Sequence, residues 1–232
     1  VVDEMQDYSP LQYRVLSMLY PCKKTVLGDR NQSINPLSSS HAESIRDVLP
    51  GSMCVYMRKS YRSTFQITQV AQSILNNPDL EPIERHGEEP TFRAFRKKAD
   101  ELPFIAEEVV AFPGSGFQSM AIICRTQPEA DELYEFLSPQ GSVSLLNTQS
   151  KTFASGIVIT TSYLAKGLEF DKVIVPYCTS SNYCQPIDRH MLYVAVTRAM
   201  HSLVITHCGA ITHFLEVVAS LHSGASNGLS TN

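Results

Sequence analysis

Short apolar runs rich in β-branched residues alternate along the chain with segments whose apolar residues recur every three or four positions. The first pattern predicts buried strands and the second predicts amphipathic helices. The runs lie at residues 25–27, 53–57, 91–95, 120–124, 143–146, 157–161, 173–175 and 203–206, and the helical segments at 11–19, 64–75, 101–112, 128–137 and 189–200. Continuously apolar strands separated by helices favour a parallel sheet covered on both faces, so the expected fold class is α/β.

Capping residues mark where some of these elements begin and end. Ser9 and Pro10 supply a helix cap followed by a proline at the first helical position, and Ser63 or Thr64 can cap the predicted helix that follows. Pro78 and Pro82 are expected to stop that second helix. These signals agree with the periodicity and strengthen the predicted alternation of strands and helices.

The order of the elements predicts two unequal domains with a boundary near Ser60. Residues 1–60 resemble the end of one domain, residues 61–222 a nearly complete second domain, and residues 223–232 a flexible polar tail. The chain opens on Val1 rather than Met, and its first apolar run is shorter than the roughly four to eight residues expected of a buried strand. We therefore expect the chain to begin inside a larger protein.

Composition and charge restrict the class of protein. The 232 residues include 19 Lys and Arg against 23 Asp and Glu, a net charge of -4, and 43% are hydrophobic. This apolar fraction excludes a disordered chain, and no run approaches the roughly 18 apolar residues that cross a bilayer, which predicts a soluble, cytoplasmic protein without a membrane partner. The slightly acidic charge gives no electrostatic sign of nucleic-acid binding.

The cysteine pattern predicts thiols rather than a metal site. The six cysteines form no CxxC pair, and Cys54, Cys124 and Cys208 lie in or beside apolar runs. We therefore expect these three to be buried free thiols, as suits a reducing compartment.

Two predicted strand ends in the first sixty residues carry candidate phosphate chemistry. Asp3 and Glu4 follow the opening valines, and Gln32 follows the turn after the run at 25–27. At the carboxyl end of a parallel strand an Asp can hold Mg²⁺ while the next Glu aligns a water for attack on a phosphate. A glutamine beside them can orient water or sense a γ-phosphate. Two adjacent acids are by themselves more typical of a solvated loop.

Four sites in the second part of the chain carry similar chemistry. Arg62 precedes a predicted helix, where a surface arginine near a cap is the simpler interpretation. The hydroxyls of Thr161 and Ser162 at a strand end can bind a phosphodiester, and Glu169 can accept a bond from a ribose hydroxyl. Arg198 falls on an otherwise apolar predicted helix, and because an unpaired buried charge is very costly it is a candidate phosphate contact.

The sequence segments that contain these candidate residues together resemble the motifs of the superfamily 1A helicases of the UvrD/Rep type. In the order of that family, residues 3–7 match motif II, 28–34 motif III, 61–63 motif IV, 161–170 motif V and 193–199 motif VI. The resemblance implies a RecA-like fold of the P-loop NTPase type, a parallel sheet flanked by helices. It places motifs II and III in the end of a first RecA-like domain and motifs IV to VI in a nearly complete second one.

The resemblance also implies a role for each candidate in ATP hydrolysis. It implies that Asp3 binds Mg²⁺, that Glu4 is the catalytic base, and that Gln32 couples the γ-phosphate to the nucleic-acid site. Arg62 and Arg198 correspond to the two arginines that contact the γ-phosphate from the facing domain. Such arginines stabilise charge on the transferring phosphoryl group, so that hydrolysis can drive stepping along a strand.

The remaining candidates correspond to residues that meet the nucleotide or the DNA. By resemblance, Glu169 contacts the ribose, Gly167 lies at the nucleotide, and Thr161 and Ser162 touch the nucleic-acid backbone. The implied substrates and partners are ATP with Mg²⁺, and DNA as a single strand or a duplex junction.

The chain departs from the family in three respects. It contains no Gly-x-x-x-x-Gly-Lys-Ser/Thr loop, so we expect it to be inactive without the N-terminal remainder of the same chain. The accessory domain that UvrD and Rep carry between motifs IV and V is missing or vestigial. Tyr163 stands where the UvrD/Rep motif V commonly has His.

Three functions remain open at this stage. The first is an ATP-dependent DNA helicase. The strings at 162–171, 7–10 and 197–201 are most similar to the HelD branch, helicase-like ATPases that bind bacterial RNA polymerase, and this gives the second: remodelling of a polymerase complex. The third is a non-catalytic interaction module that keeps the fold. The presence of Glu4, Gln32, Arg62 and Arg198 argues against loss of catalysis in the parent protein.

Overall fold

The computed structural model describes residues 1–34, 42–76, 80–150 and 156–223, and divides the chain into two compact units. Unit 1 is Val1–Arg58 and unit 2 is Lys59–Asn232. Pro78 and the tail predicted at 223–232, apart from Ser223, lie outside the described residues.

Unit 1 contains helices α1 (Pro10–Leu19) and α2 (Ala42–Val48). The N-terminus of α1 confirms the predicted cap, because Ser9 Oγ accepts from Gln12 N at 3.3 Å while Ser9 N donates to Gln12 Oε1 at 2.8 Å. The reciprocal pair satisfies two backbone donors that would otherwise lack partners. The sequence pattern did not predict the short helix α2.

Two apolar runs of unit 1 form less structure than their composition predicts. The run at 25–27 contributes a single parallel bridge, between Val2 and Val26. The strand predicted at 53–57 is wrong: these residues form no strand, and Met53 and Met57 are 88% and 86% exposed. An apolar run becomes a strand only where a neighbouring strand accepts its hydrogen bonds and a core accepts its side chains.

Unit 2 is built on one fully parallel sheet of six strands, in the order β3-β8-β7-β4-β6-β5. The strands are β3 (Thr91–Phe95), β4 (Ser119–Cys124), β5 (Val143–Leu145), β6 (Gly156–Thr161), β7 (Phe170–Val175) and β8 (Ala199–Cys208). A two-residue parallel pair, β1 (Lys59–Ser60) with β2 (Glu81–Pro82), stands apart from it. The predicted parallel α/β sheet is confirmed.

Helices cover both faces of this sheet, as predicted. They are α3 (Phe65–Leu75), α4 (Lys98–Ala111), α5 (Gln127–Leu137), α6 (Pro186–Val196) and α7 (Glu216–Ser223), the last not foreseen from the sequence. Side chains of α3, α6 and α7 form one core cluster with the sheet, and those of α4 and α5 form the other. Successive residues of β4 alternate between them, Ile122 in the second cluster and Ile123 in the first, as the pleat requires.

The helix predicted at 189–200 is displaced toward the N-terminus, and this changes the position of Arg198. Helix α6 ends at Val196, and strand β8 already begins at Ala199. The backbone N–H of Phe170 donates to the carbonyl of Arg198 at 3.0 Å. The chain therefore pairs with β7 from this point on, although the helical spacing of apolar residues continues to residue 200. Arg198 therefore lies in a tight turn between helix and strand rather than on the helix.

The cysteines follow the prediction in part. Cys124 is buried and Cys208 is half-buried, whereas the prediction is wrong for Cys54, which is exposed because its run forms no strand. Burial raises the pKa of the Cys124 thiol well above its usual value, so this thiol stays protonated and inert at neutral pH. Within the part of the chain that the structure describes, no helix has the length and apolar character needed to cross a membrane.

Candidate functional site

The acidic residues Asp3 and Glu4 directly follow the parallel bridge between Val2 and Val26. Val2 N donates to Thr25 O at 2.8 Å, and Leu27 N donates to Val2 O at 2.8 Å. Glu4 then adopts a left-handed backbone conformation with φ 53°, which is uncommon for a residue with a side chain. Asp3 is exposed, and its Oδ1 accepts from Glu4 N at 2.8 Å. Both acidic residues therefore lie within two positions of the bridged residue Val2.

Gln6, which the sequence analysis did not single out, connects the acidic segment to the turn that carries Gln32. It is fully buried; its Nε2 donates to Glu4 Oε2 at 2.5 Å, and its Oε1 accepts from Asp29 N at 3.1 Å. Asp29 Oδ2 in turn accepts from Gln32 Nε2 at 3.2 Å. The structure thus connects Glu4 and Gln32 through a continuous series of hydrogen bonds. The sequence feature that could have identified Gln6 is its position between two acidic residues of motif II.

Gly28 is the residue that allows this approach. A Cβ at this position would lie 2.6 Å from the backbone nitrogen of Met5, closer than real Cβ atoms come to a backbone atom. Met5 N also donates to the carbonyl of Leu27 at 2.8 Å. The glycine of motif III is therefore required by contact between the two segments.

In unit 2, segments of motifs IV, V and VI form one connected cluster. Arg62 Nε donates to Glu169 Oε1 at 2.6 Å, an ion pair whose side chains are 38% and 43% exposed. Ser63 Oγ donates to the carbonyl of Ala199 at 2.6 Å, and thereby joins the residue after Arg62 to the residue after Arg198. Three segments far apart in sequence are held together at the edge where β7 and β8 begin, the amino edge of the sheet.

Arg198 is 1% exposed, and its guanidinium bonds to neutral oxygens. Nη1 donates to Leu168 O at 3.2 Å, Nε donates to Val194 O at 3.3 Å, and Nη2 lies 3.4 Å from the hydroxyl oxygen of Thr197. Carbonyl oxygens carry partial negative charge and replace part of the hydration that burial removes. The described partners thus include neutral carbonyl oxygens, where the sequence analysis predicted an anion or solvent, and the phosphate contact of Arg198 stays a prediction.

The segment between β6 and β7 carries the other candidates. Thr161 is 7% exposed, and Ser162 is buried with no hydrogen-bond partner for its Oγ in the part of the chain the structure describes. Tyr163 is 64% exposed. Gly167 has φ 79°, which favours glycine. Thr161 and Ser162 lie at the carboxyl edge of the sheet, whereas Glu169 precedes β7 at the amino edge, so the structure does not bring the hydroxyl pair to the arginine cluster.

Asp171 and His201 lie next to each other beside this cluster. Partial burial opposes ionisation of Asp171, but hydrogen bonds from Gln118 N at 2.8 Å and from Ser119 N at 3.0 Å, one from Ser119 Oγ, and the neighbouring His201 outweigh it and lower the pKa of Asp171. His201 Nε2 lies 3.8 Å from Asp171 Oδ1, and its ring stacks on Phe117 at a centroid distance of 6.0 Å.

The sequence matches helicase families along most of its length. Residues 1–48 match the UvrD/REP helicase N-terminal domain, and residues 55–143 and 156–206 each match the UvrD-like helicase C-terminal domain. Among solved structures, the C-terminal domain of a possible DNA helicase from Lactobacillus plantarum WCFS1 is 30% identical, with a TM-score of 0.57 over 67% of this chain and 92% of that chain.

Curated relatives are longer proteins of which this chain covers about a fifth. It is 28% identical over 147 residues to the ATP-dependent DNA helicase PcrA of Staphylococcus aureus, covering 58% of this chain and 20% of PcrA. It is 27% identical over 157 residues to the ATP-dependent DNA helicase UvrD2 of Mycobacterium bovis, covering 61% of this chain and 22% of UvrD2. With the parallel sheet and the ordered motifs, these matches show that the chain belongs to the UvrD/Rep-like helicases of superfamily 1A.

Proposed function

We propose that this chain forms part of an ATP-dependent DNA helicase or translocase, which couples ATP hydrolysis to movement on nucleic acid or to its remodelling. The observation that carries the proposal is the cluster in unit 2 that joins Arg62, Glu169 and Arg198 through direct hydrogen bonds and short backbone links. Arg62 pairs with the carboxylate of Glu169. The Arg198 guanidinium is bonded to the carbonyl of Leu168, the residue before Glu169. Two arginines and a carboxylate on neighbouring segments suit a nucleoside triphosphate, because arginines neutralise the transferring phosphate and a carboxylate accepts from ribose hydroxyls.

Within this proposal the residues of unit 1 supply the hydrolytic chemistry. Glu4 serves as the general base, and Gln32 senses the γ-phosphate. Asp3 is an exposed carboxylate, the kind of hard oxygen ligand that Mg²⁺ prefers, so the residue fits the metal that resemblance assigns to it. Mg²⁺ would neutralise phosphate charge during hydrolysis.

We assign residues 1–60 to the end of a first RecA-like domain and residues 61–222 to the second. The assignment is supported by the match of residues 1–48 to an N-terminal helicase domain and of residues 55–143 to a C-terminal one. In the second domain, Thr161 and Ser162 would meet the nucleic-acid backbone, and Gly167 would lie against the nucleotide.

The test is DNA-stimulated ATP hydrolysis by the complete protein that contains this chain. Glu4→Gln removes the base, and since a positioned base contributes about 10²- to 10⁴-fold, kcat should fall by at least about 100-fold. Arg62→Ala should also lower kcat severely, because it removes charge that stabilises the transition state. The matched control is Arg96→Ala, an exposed arginine of unit 2, which should hydrolyse ATP like the wild type. An inactive wild type, or an active Glu4→Gln variant, would contradict the proposal.

The isolated 232 residues are proposed to be inactive. They contain no Gly-x-x-x-x-Gly-Lys-Ser/Thr loop, whose backbone amides and lysine hold the β- and γ-phosphates in P-loop enzymes. Steady ATP turnover by this chain alone, at a rate that Glu4→Gln abolishes, would overturn this part of the proposal.

A second candidate function is remodelling of an RNA polymerase complex by a HelD-like ATPase. The motif V string with Tyr163 favours it, as do the strings at 7–10 and 197–201. An unwinding assay with a tailed duplex and a pull-down of purified RNA polymerase distinguish the two. Unwinding without polymerase binding supports the helicase, and polymerase binding without unwinding supports the second candidate. If the complete protein hydrolysed no ATP and still bound a partner, it would be a non-catalytic module.

A further inference from the structure

Arg85 lies in the charged loop at residues 83–90, directly after β2, to which neither the sequence motifs nor the family matches assign a role. The structure places this loop against the N-terminus of α3. A Cβ at Gly87 would clash with the side chain of Thr64, and Gly87 N donates to Gln66 Oε1 at 3.0 Å. The close packing holds the loop beside the segment that carries Arg62.

Arg85 contacts that segment on both sides. Its Nη1 donates to the carbonyl oxygen of Arg62 at 3.0 Å, and its own carbonyl oxygen accepts from Phe65 N at 2.8 Å. The second bond satisfies a backbone donor in the first turn of α3. One residue therefore holds the backbone both at Arg62 and three positions later.

His201 supports Arg85 from strand β8. Nη2 of Arg85 lies 3.1 Å from Nδ1 and 3.2 Å from Nε2 of His201. Because a guanidinium only donates, the ring nitrogen that takes this bond acts as an acceptor. His201 is part of the same strand as Ala199, whose carbonyl accepts from Ser63. Arg85 therefore connects the backbone of Arg62 to the start of the strand that follows Arg198.

We propose that Arg85, supported by His201, is a positioning residue that fixes the backbone of Arg62 so that its guanidinium meets the γ-phosphate. The inference rests on the proposed function, because it assigns a third arginine to the site that contains Arg62 and Arg198. Arg62 is 38% exposed, and Glu169 is the one side chain with which its guanidinium forms an ion pair among the described residues. A nucleotide that binds Arg62 or Glu169 would break this ion pair and leave the long Arg62 side chain without a fixed partner. The position of the Arg62 guanidinium would then depend on how firmly the Arg62 backbone is held. Small displacements of catalytic groups can cost about 100-fold in rate.

The decisive experiment measures kcat and KM for ATP in the complete protein with Arg62→Ala, Arg85→Ala and both substitutions. Arg85→Ala should lower kcat about tenfold or more while KM for ATP changes less than about threefold, since misplacement affects mainly the transition state. If Arg85 acts through Arg62, the double variant should be no slower than Arg62→Ala alone. Arg85→Lys, with a single ammonium group, should recover only part of the rate.

A pair of His201 variants tests the support independently of Arg85. His201→Gln keeps an acceptor oxygen for the guanidinium and should retain kcat within about threefold, whereas His201→Leu should lower kcat as Arg85→Ala does. Thermal melting of each variant shows whether unit 2 is still folded. A folded His201→Leu variant with the wild-type kcat would overturn the inference.

The outcomes separate this inference from the proposed function. If the wild type hydrolyses no ATP, or Arg62→Ala is fully active, the proposed function fails. If Arg62→Ala is impaired but Arg85→Ala is fully active, only the inference fails. If the two losses multiply in the double variant, Arg85 acts by itself, for example by touching phosphate, and the inference fails as well.

Discussion

The two arginines of the cluster carry the same charge in opposite environments. Arg62 is 38% exposed and pairs with a carboxylate, whereas Arg198 is 1% exposed and bonds to carbonyl groups. An exposed ion pair contributes only about 0–1 kcal/mol to stability, so substitution of Arg62 reports on function. Substitution of Arg198 leaves buried carbonyls without donors and reports on folding as well. Arg62 is therefore the better probe of the site.

Asp171 is the residue whose ionisation should matter to stability. Its pKa is lowered from an ordinary value of 3.8, so its contribution is fully present above that value and is lost as the pH falls through the lower pKa of the folded state. Asp171→Asn should lower the stability of unit 2 by about 1–3 kcal/mol at pH 7, because hydrogen bonds to a charged acceptor are lost. The difference between variant and wild type should shrink as the pH approaches 3.

Urea unfolding of this chain at pH 7, 5 and 3 measures that difference. Asp131→Asn is the control, since Asp131 is exposed and its hydrogen bond among the described residues lies within its own helix, from Gln127 Nε2 at 2.8 Å. A deficit for Asp171→Asn that stayed constant from pH 7 to pH 3 would mean that the carboxylate charge is not what stabilises the start of β7.

At the scale of elements, the apolar runs predict the sheet of unit 2 well and fail in unit 1. The run at 91–95 coincides with β3, an edge strand that pairs with β8 and is only partly buried. The run at 120–124 gives all but the first residue of β4, because partner strands and two helical layers bury these residues. The run at 53–57 is similar in composition but has no partner among the described residues. Burial in a sheet is a property of the neighbours, which a local pattern does not contain.

In the candidate site, likewise, the sequence identifies individual residues but does not predict which of them come into contact. Motif order identifies Arg62 and Glu169, but their direct pairing depends on a connection that leaves β6 at the carboxyl edge and reaches β7 at the amino edge. The rule that ligands bind at the carboxyl ends of parallel strands finds Thr161, not the arginine cluster. Arg85 has no sequence signal of its own, because its role depends on how a loop packs against α3.

The junction of α4 with the carboxyl ends of β7 and β8 depends on a buried carboxylate. Glu101 Oε1 accepts from Tyr177 N at 3.0 Å and from Thr206 Oγ1 at 2.5 Å, and all three atoms are buried. Thr206→Val keeps the shape and removes one donor, which should destabilise unit 2 by about 1–3 kcal/mol because Glu101 loses a hydrogen bond. Urea unfolding of this chain measures the loss.

Thr206→Ser is the matched control for this prediction. Serine keeps the hydroxyl and removes only a methyl group, so its cost should come from packing, about 1 kcal/mol or less. If Thr206→Ser destabilised the protein as much as Thr206→Val, the hydroxyl bond to Glu101 would not be what holds α4 on the sheet.

At the scale of the whole molecule, the two units differ in how many buried apolar side chains they contribute to a hydrophobic core. Both core clusters consist entirely of unit 2 residues. In unit 1, by contrast, the apolar side chains that the structure shows as buried are Tyr13, Ile34 and Ile45, while Leu11 and Met18 on α1 are more than 70% exposed. Hydrophobic burial is the main favourable term in folding, so the stability of this chain resides in unit 2.

Residues 59–223 alone should therefore fold into the six-stranded unit and unfold cooperatively. Because no member of either core cluster lies before Ile67, removal of residues 1–58 should shift the midpoint of thermal unfolding by no more than about 4 °C, equivalent to about 1 kcal/mol. Differential scanning calorimetry of both proteins provides the comparison. Residues 1–58 alone should show no cooperative transition, since the three apolar side chains buried among the described residues of unit 1 cannot offset the entropy of ordering the segment. A shortened unit 2 that failed to melt cooperatively would show that unit 1 contributes to its core.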